Sequence, residues 1–117
     1  MTSLPSDAAG SVSTSSLKRR LLDALSGIEG FEARPSKVAG GTALFYRGQE
    51  FAHFHYDHEI DLRLTRAVIR AMGLSHPPRS VHHPARSASS PWIELRFEDA
   101  AAVDRVAGLV KVAIERL

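Results

Sequence analysis

Three of the six histidines of the chain lie within one six-residue segment. In a strand, successive side chains point to opposite faces, so His53 and His55 share a face if the segment is extended. Imidazole nitrogens and carboxylate oxygens together suit zinc, nickel or iron. The spacing therefore predicts either a metal site or a polar binding surface in the run His53-Phe54-His55-Tyr56-Asp57-His58.

The same letters spell H-x-H-x-D-H, the zinc-ligand pattern of metallo-β-lactamase-like hydrolases. The context differs, because that fold needs a chain of about twice this length and Glu59 leads directly into another strand. A simpler interpretation of the motif is that one of its histidines packs in the sheet and the others are solvated, without a metal. A metal-dependent hydrolase, with zinc or another divalent metal as cofactor, is thus an alternative and not the favoured hypothesis. Its ligands would be His53, His55, His58 and Asp57, with Asp61 as a second candidate carboxylate.

Polar side chains near the histidines suggest a second kind of site. Asp61 and Arg63 are two residues apart on one predicted strand and therefore share a face, where they could hold a polar ligand or pair with each other. Trp92 could stack on a flat ligand or anchor the preceding loop. The first hypothesis is a ligand-binding or interaction domain for a small molecule or protein. Its surface pocket would be lined by His53, His55, Asp61, Arg63 and Trp92.

The composition is that of one ordinary soluble domain. The chain has 117 residues, of which 44% are hydrophobic and 24% are charged. It contains no cysteine, which suits a reducing compartment, and no apolar run long enough to span a bilayer, so a cytoplasmic location without membrane contact is expected. Basic residues are scattered and the formal net charge is only +2, which disfavours nucleic acid as a partner.

Two long segments lack the periodicity of folded elements. Residues 1–16 are rich in serine, threonine and alanine, which predicts a flexible N-terminal arm before a single domain over 17–117. Residues 75–91 contain four prolines and three histidines, which predicts a functional or disordered loop. Leucines at helical spacing predict a first helix over 17–26.

The middle of the chain alternates apolar and polar residues and predicts three consecutive antiparallel strands. Turns are expected at Gly48-Gln49, which would place Arg47 opposite Glu50, and at Asp57-His58. With both turns two residues long, one face would carry Leu44, Tyr46, Phe51, His53, His55, Ile60, Leu62 and Leu64. The other would carry Phe45, Phe54, Tyr56, Asp61 and Arg63. A one-residue change in either turn would reverse the next strand.

The rest of the pattern completes an α+β domain. Thr65 is placed to cap a short helix, residues 92–97 alternate as a last strand, and Asp99 can cap a closing helix with a continuous apolar stripe. We therefore expect two layers, an antiparallel sheet of about four strands with helices mainly on one face. Aromatic residues on both hairpin faces also allow a self-associating module, a homo-oligomer, as a third hypothesis.

Two segments of the chain resemble the small bacterial luciferase-domain proteins. The first is Glu-Phe-Ala-His-Phe-His at 50–55 followed by Glu-Ile-Asp-Leu-Arg-Leu-Thr-Arg-Ala-Val-Ile-Arg at 59–70, and the second is Ser-Pro-Trp-Ile-Glu-Leu-Arg-Phe at 90–97. The resemblance implies a small α+β domain without an assigned biochemical role, and it transfers no catalytic residue. The long loop, with Pro77-Pro78 and His82-His83-Pro84, departs from the family pattern. The family-like positions are His53, His55, Asp61, Arg63 and Trp92.

Overall fold

The computed structural model describes residues 14–36, 41–75 and 90–117. The described strands form one sheet in which each strand pairs antiparallel with the next along the chain. The strands are β1 (Phe31–Pro35), β2 (Thr42–Tyr46), β3 (Gln49–Tyr56), β4 (Glu59–Arg63) and β5 (Trp92–Arg96). The helices are α1 (Thr14–Leu25), α2 (Arg66–Ala71) and α3 (Ala100–Glu115). The α+β class is confirmed.

The sheet has five strands rather than the predicted four, and β1 is the additional one. Only Phe31 of this edge strand is partly buried, so the segment has no apolar alternation that would indicate a strand. Arg34 donates a 2.6 Å hydrogen bond to Glu32, which lowers the pKa of Glu32 below its ordinary value. Charged side chains and Pro35 are also what keeps an open sheet edge from pairing with another chain.

One hydrophobic core joins the helices to one face of the sheet. Helix α1 packs against α3, and α3 contacts β4. Leu17, Leu21 and Leu25 of α1 are fully or almost fully buried, as helical spacing requires for one covered face. The core also contains Phe51, Phe54, Ile60, Leu62, Leu64, Val68, Ile93, Phe97, Val103 and Val110. The predicted two-layer arrangement is therefore present.

The ends of the helices follow from local side chains. Asp99 Oδ1 accepts a 2.8 Å hydrogen bond from the Ala102 backbone N–H, and Thr65 Oγ1 accepts one of 3.2 Å from Val68, so both predicted caps are confirmed. Helix α1 begins at Thr14, three residues before the predicted start. Residues 1–13 of the predicted arm and residues 76–89 of the predicted loop lie outside the described residues.

The turn between β2 and β3 differs from the prediction by one residue. Strand β2 ends at Tyr46, which pairs with Gln49, so the turn residues are Arg47 and Gly48. Both have positive φ, 51° and 87°, as a two-residue type I′ hairpin requires. The predicted pairing of Arg47 with Glu50 is wrong, because Arg47 rather than Gln49 enters the turn. The second turn, Asp57-His58, is as predicted.

Two bulges in β3 change which side chains share a face. Phe51 is an extra residue between the pairs Leu44–Ala52 and Phe45–Glu50. His55 is an extra residue between the pairs Phe54–Ile60 and Tyr56–Glu59. Each extra residue interrupts the alternation of side chains along the strand.

The predicted assignment of faces is therefore wrong for the histidines. Phe51 and Ala52 both enter the core, and the next residue, His53, pairs with Asp61 on the opposite face. Phe54 is buried in the core with Ile60 instead of facing away from it. We call the face opposite the helices the outer face of the sheet. In the part of the chain that the structure describes, none of the helices has the length and apolarity needed to cross a bilayer.

Candidate functional site

Three polar residues form one row across the outer face. His53 of β3 pairs with Asp61 of β4, and Asp61 pairs with Glu94 of β5. Asp61 is 1% exposed and Glu94 is 0% exposed. Carboxylates are almost never buried to this degree unless they are paired with cations, hydrogen-bonded or bound to a metal. This row is therefore the strongest candidate for a functional site among the described residues.

His53 contacts a carboxylate on each side without a short hydrogen bond. Its Nε2 lies 3.5 Å from Asp61 Oδ2, and its Nδ1 lies 3.5 Å from Glu50 Oε2. Nδ1 is buried and has no hydrogen-bond partner. Both distances exceed the usual N–H···O length of about 2.9–3.0 Å. The ring is therefore held between two acidic groups at distances longer than a direct hydrogen bond.

His55 is more deeply buried and makes a short contact with Glu94. Its Nδ1 lies 2.9 Å from Glu94 Oε2, and only 4% of its side chain is exposed. The rings of His53 and His55 are 5.0 Å apart between centroids. Alternation explains this proximity, because Phe54 between the two histidines points into the core and both imidazoles therefore lie on the outer face.

An arginine and a third buried carboxylate form the next pair along the strands. Glu59 is 3% exposed, and it pairs across the sheet with Arg96. Arg96 donates from Nη2 at 2.6 Å and from Nε at 3.0 Å to the same oxygen, Oε2. A guanidinium is always charged, so Arg96 offsets the negative charge of the Glu59 carboxylate beside the row.

Two overlapping groups of these side chains could hold a metal ion. In each group, one ligand atom from every residue lies within 4.8 Å of the others. The first group is His53, His55 and Asp61, and the second is His55, Glu59 and Glu94. We call these five residues together the histidine–carboxylate cluster. Two imidazoles with a carboxylate match the donors of catalytic zinc and of non-haem iron(II).

The structure brings together most of the residues predicted from sequence. His53, His55 and Asp61 belong to the cluster, and the Trp92 ring lies 5.7 Å from the His53 ring between centroids. Arg63 is exposed and pairs across the sheet with Trp92. Because Arg63 follows Asp61 by two residues on β4, it lies on the same outer face.

Asp57 and His58, the other two predicted ligands, belong to neither group. They form the turn between β3 and β4. The Asp57 carboxylate lies 3.8 Å from Lys18 Nζ of α1, and the His58 backbone carbonyl accepts a hydrogen bond from Phe97. Their role as metal ligands stays a prediction.

Three members of the site were not predicted from the sequence, namely Glu59, Glu94 and Arg96. The alternation of β5 does place Glu94 and Arg96 on the face away from Ile93. That alternation does not tell which strand lies beside β5. The pairing of Glu94 with Asp61, and of Arg96 with Glu59, depends on the register between β4 and β5.

A family model for the luciferase domain matches residues 48–113, more than half of the 117-residue chain. The match runs from the turn between β2 and β3 into α3 and includes every residue of the histidine–carboxylate cluster. No curated protein and no solved structure matches the chain. The family model and the residues that it covers show that the chain belongs to the luciferase-domain family.

Proposed function

We propose that this domain binds a divalent transition-metal ion through His53, His55 and Asp61, and that the ion presents an open position to a small-molecule ligand. The proposal joins the ligand-binding and metal-site hypotheses in one place on the outer face. Three protein ligands with an open fourth position are the arrangement of catalytic rather than structural zinc sites.

The 3.5 Å distance between His53 Nε2 and Asp61 Oδ2 carries the proposal. It is longer than a good hydrogen bond. Two ligand atoms that share a tetrahedral zinc ion at 2.0–2.1 Å are about 3.4 Å apart. The separation of these two atoms therefore suits a shared ion better than it suits a direct bond between them.

The contact between His55 and Glu94 supports the same proposal. Metal-bound histidines usually give their second ring N–H to a carboxylate, which fixes the tautomer and the orientation of the ring. Nδ1 of His55 lies 2.9 Å from the fully buried Glu94 carboxylate. In such a triad the other nitrogen, Nε2, binds the ion. Glu94 is then a positioning residue rather than a ligand.

The donor set limits the choice of metal ion mainly to zinc and iron(II), and the class of reaction depends on which of the two is bound. Two histidines and a carboxylate bind zinc, which would activate a water for hydrolysis as the second sequence hypothesis requires. The same donors bind iron(II) in oxygenases. The proposed function is therefore metal-dependent ligand binding, with hydrolysis as the activity to test if zinc is the preferred ion.

The test measures metal uptake in protein that carries no histidine tag. Trp92 is the single tryptophan of the chain, and its ring lies 5.7 Å from the His53 ring, so a paramagnetic ion such as Co²⁺ should quench its fluorescence. Elemental analysis after loading with Zn²⁺, Fe²⁺ or Co²⁺ and removal of excess metal gives the stoichiometry. We expect one ion per chain.

Variants then identify the ligands. His53→Gln, His55→Gln and Asp61→Asn should each weaken binding at least about tenfold, since each removes one of three ligands. His58→Gln is the matched control, because it removes a neighbouring histidine that lies outside both groups. Loss of metal binding in His58→Gln together with unchanged binding in Asp61→Asn would show that the ligands are those of the H-x-H-x-D-H motif instead. Absence of stoichiometric metal under all conditions would overturn the proposal.

A further inference from the structure

We infer that the ligand of the metal site carries a carboxylate group, which Arg63 binds at the border of the histidine–carboxylate cluster. The inference rests on the proposed function, because the metal ion supplies the other contact. It adds the chemical class of the ligand and a residue that would select it.

Arg63 is placed beside the proposed ion and open to solvent. It lies on β4 two residues after Asp61, and a strand advances about 3.3 Å per residue, so their Cα atoms are about 7 Å apart. Arg63 is exposed, whereas Asp61 is buried. A ligand that approaches the ion from solvent on this side therefore passes the Arg63 guanidinium.

Trp92 lies beside Arg63 on the path by which a ligand would reach the ion from solvent. It pairs directly with Arg63 across the sheet, and directly opposed residues have Cβ atoms about 5 Å apart. Its ring also lies 5.7 Å from the ring of His53. Trp92 thus connects the exposed arginine to one of the proposed ligands, and its fluorescence should respond to events at both.

The two arginines discussed on this face differ in their hydrogen bonding. Arg96 is engaged with Glu59 through two hydrogen bonds. The Arg63 guanidinium makes no hydrogen bond or ion pair within residues 14–36, 41–75 and 90–117. Its five donors are therefore available for an anion, and the planar fork of a guanidinium matches a carboxylate.

The charges of the cluster favour a monoanion. Glu59, Asp61 and Glu94 carry three negative charges when ionised, and Arg96 with a divalent ion offsets all three. At the exposed border Arg63 adds one positive charge and Glu50, whose Oε2 lies 3.5 Å from His53 Nδ1, adds one negative charge, so the ligand should carry no more than one negative charge. A phosphate dianion would bring an excess negative charge close to three buried carboxylates, and this is unfavourable at low effective dielectric.

The experiment uses the full chain loaded with Co²⁺, whose visible absorption changes when a ligand enters its coordination sphere. Acetate is the probe, acetamide is its neutral control of similar shape, and inorganic phosphate tests the dianion. Absorption and Trp92 fluorescence are recorded for each titration. We expect acetate to bind more tightly than either acetamide or phosphate.

Substitutions test whether acetate affinity depends on Arg63 itself or on the positive charge of the surface in general. Arg63→Gln should weaken acetate binding about tenfold, because a hydrogen-bonded charge partner is lost. Arg63→Lys should retain part of the affinity. Arg116→Gln removes an exposed arginine at the end of α3 and should change nothing.

The outcomes distinguish the two proposals. Protein that binds Co²⁺ but responds equally to acetate and acetamide, or equally in wild type and Arg63→Gln, overturns the carboxylate inference and leaves the metal site standing. Tighter binding of phosphate than acetate also overturns it. Protein that takes up no Co²⁺ overturns both, since the carboxylate then has no ion to bind.

Discussion

Glu94 is a buried carboxylate that contacts the imidazole of His55, and its charge should matter for metal affinity. The variant Glu94→Gln keeps the size of the side chain and one oxygen acceptor, but it removes the negative charge beside His55 Nδ1. Loss of such an outer carboxylate typically reduces metal affinity by about 10–100-fold. Competition between the protein and a chelator, followed by Trp92 quenching, measures the change.

Glu98→Gln provides the control for this prediction, because Glu98 is exposed and lies four residues further along the chain. Its metal affinity should equal that of the wild type. Equal affinity in Glu94→Gln would show that the 2.9 Å contact does not position a metal ligand.

The Arg96–Glu59 pair gives a prediction about stability rather than affinity. Arg96→Met leaves the carboxylate of Glu59, which is 3% exposed, without its guanidinium. Breaking a buried ion pair from one side costs about 3 kcal/mol, because an uncompensated charge stays buried. Urea denaturation should show this loss in the free energy of unfolding.

The double variant Glu59→Met with Arg96→Met tests the cause. If the loss comes from an unpaired buried charge, removing both charges should restore most of the stability. A double variant as unstable as Arg96→Met alone would instead indicate that packing of the arginine stem matters more than its charge.

At the scale of elements, alternation predicted most of the strands but not their faces. Strands β3, β4 and β5 were located from apolar residues two apart, and both caps followed from Thr65 and Asp99. The faces depended on two bulges at Phe51 and His55. A bulge inserts one residue without changing the hydrophobic character of its neighbours, so the sequence gives no local sign of it.

The site was predicted in part for the same reason. His53, His55 and Asp61 were chosen from their types and spacing, although strict alternation separated Asp61 from the histidines. The register that joins them needs the extra residue at position 55. Glu94 and Glu59 could not be found, because their partners are 39 and 37 residues away along the chain. Long-range pairing of strands is set by the whole sheet.

Thr65, the N-cap of α2, has a backbone conformation that favours glycine. Its φ is 86° and its ψ is 144°, a region that costs residues with a Cβ about 1–3 kcal/mol. Its backbone N–H and that of Leu64 both donate to the Pro91 carbonyl, which fixes this conformation. Thr65→Gly relieves the strain but loses the cap, whereas Thr65→Ala loses the cap and keeps the strain.

We therefore expect Thr65→Gly to be more stable than Thr65→Ala by about 1 kcal/mol or more. This order is opposite to that at ordinary positions, where glycine is the less stable of the two. Urea denaturation of both variants measures the difference. The ordinary order, with alanine more stable, would show that Thr65 is not strained.

For the whole molecule, the helices and the site occupy opposite faces of one sheet. The luciferase-domain match begins at Gly48, yet Leu17, Leu21 and Leu25 of α1 belong to the same core as Phe54 and Phe97. Removing α1 would expose that core, so metal and ligand experiments require the full chain. Self-association stays a prediction for sedimentation to test, with Met72 the most exposed large hydrophobic residue among those described.

Metal binding should stabilise the whole domain if the site exists only in the folded chain. A ligand at a free concentration one hundred times its Kd adds about 2.7 kcal/mol to the free energy of unfolding. For a domain of on the order of 100 residues this corresponds to a rise in Tm of about 10 °C. Thermal unfolding with and without the preferred ion measures the rise, and a chelator should reverse it. The double variant His53→Gln with His55→Gln should show no rise, because the outer face would then lack both imidazoles, whereas an equal rise in that variant would locate the binding elsewhere.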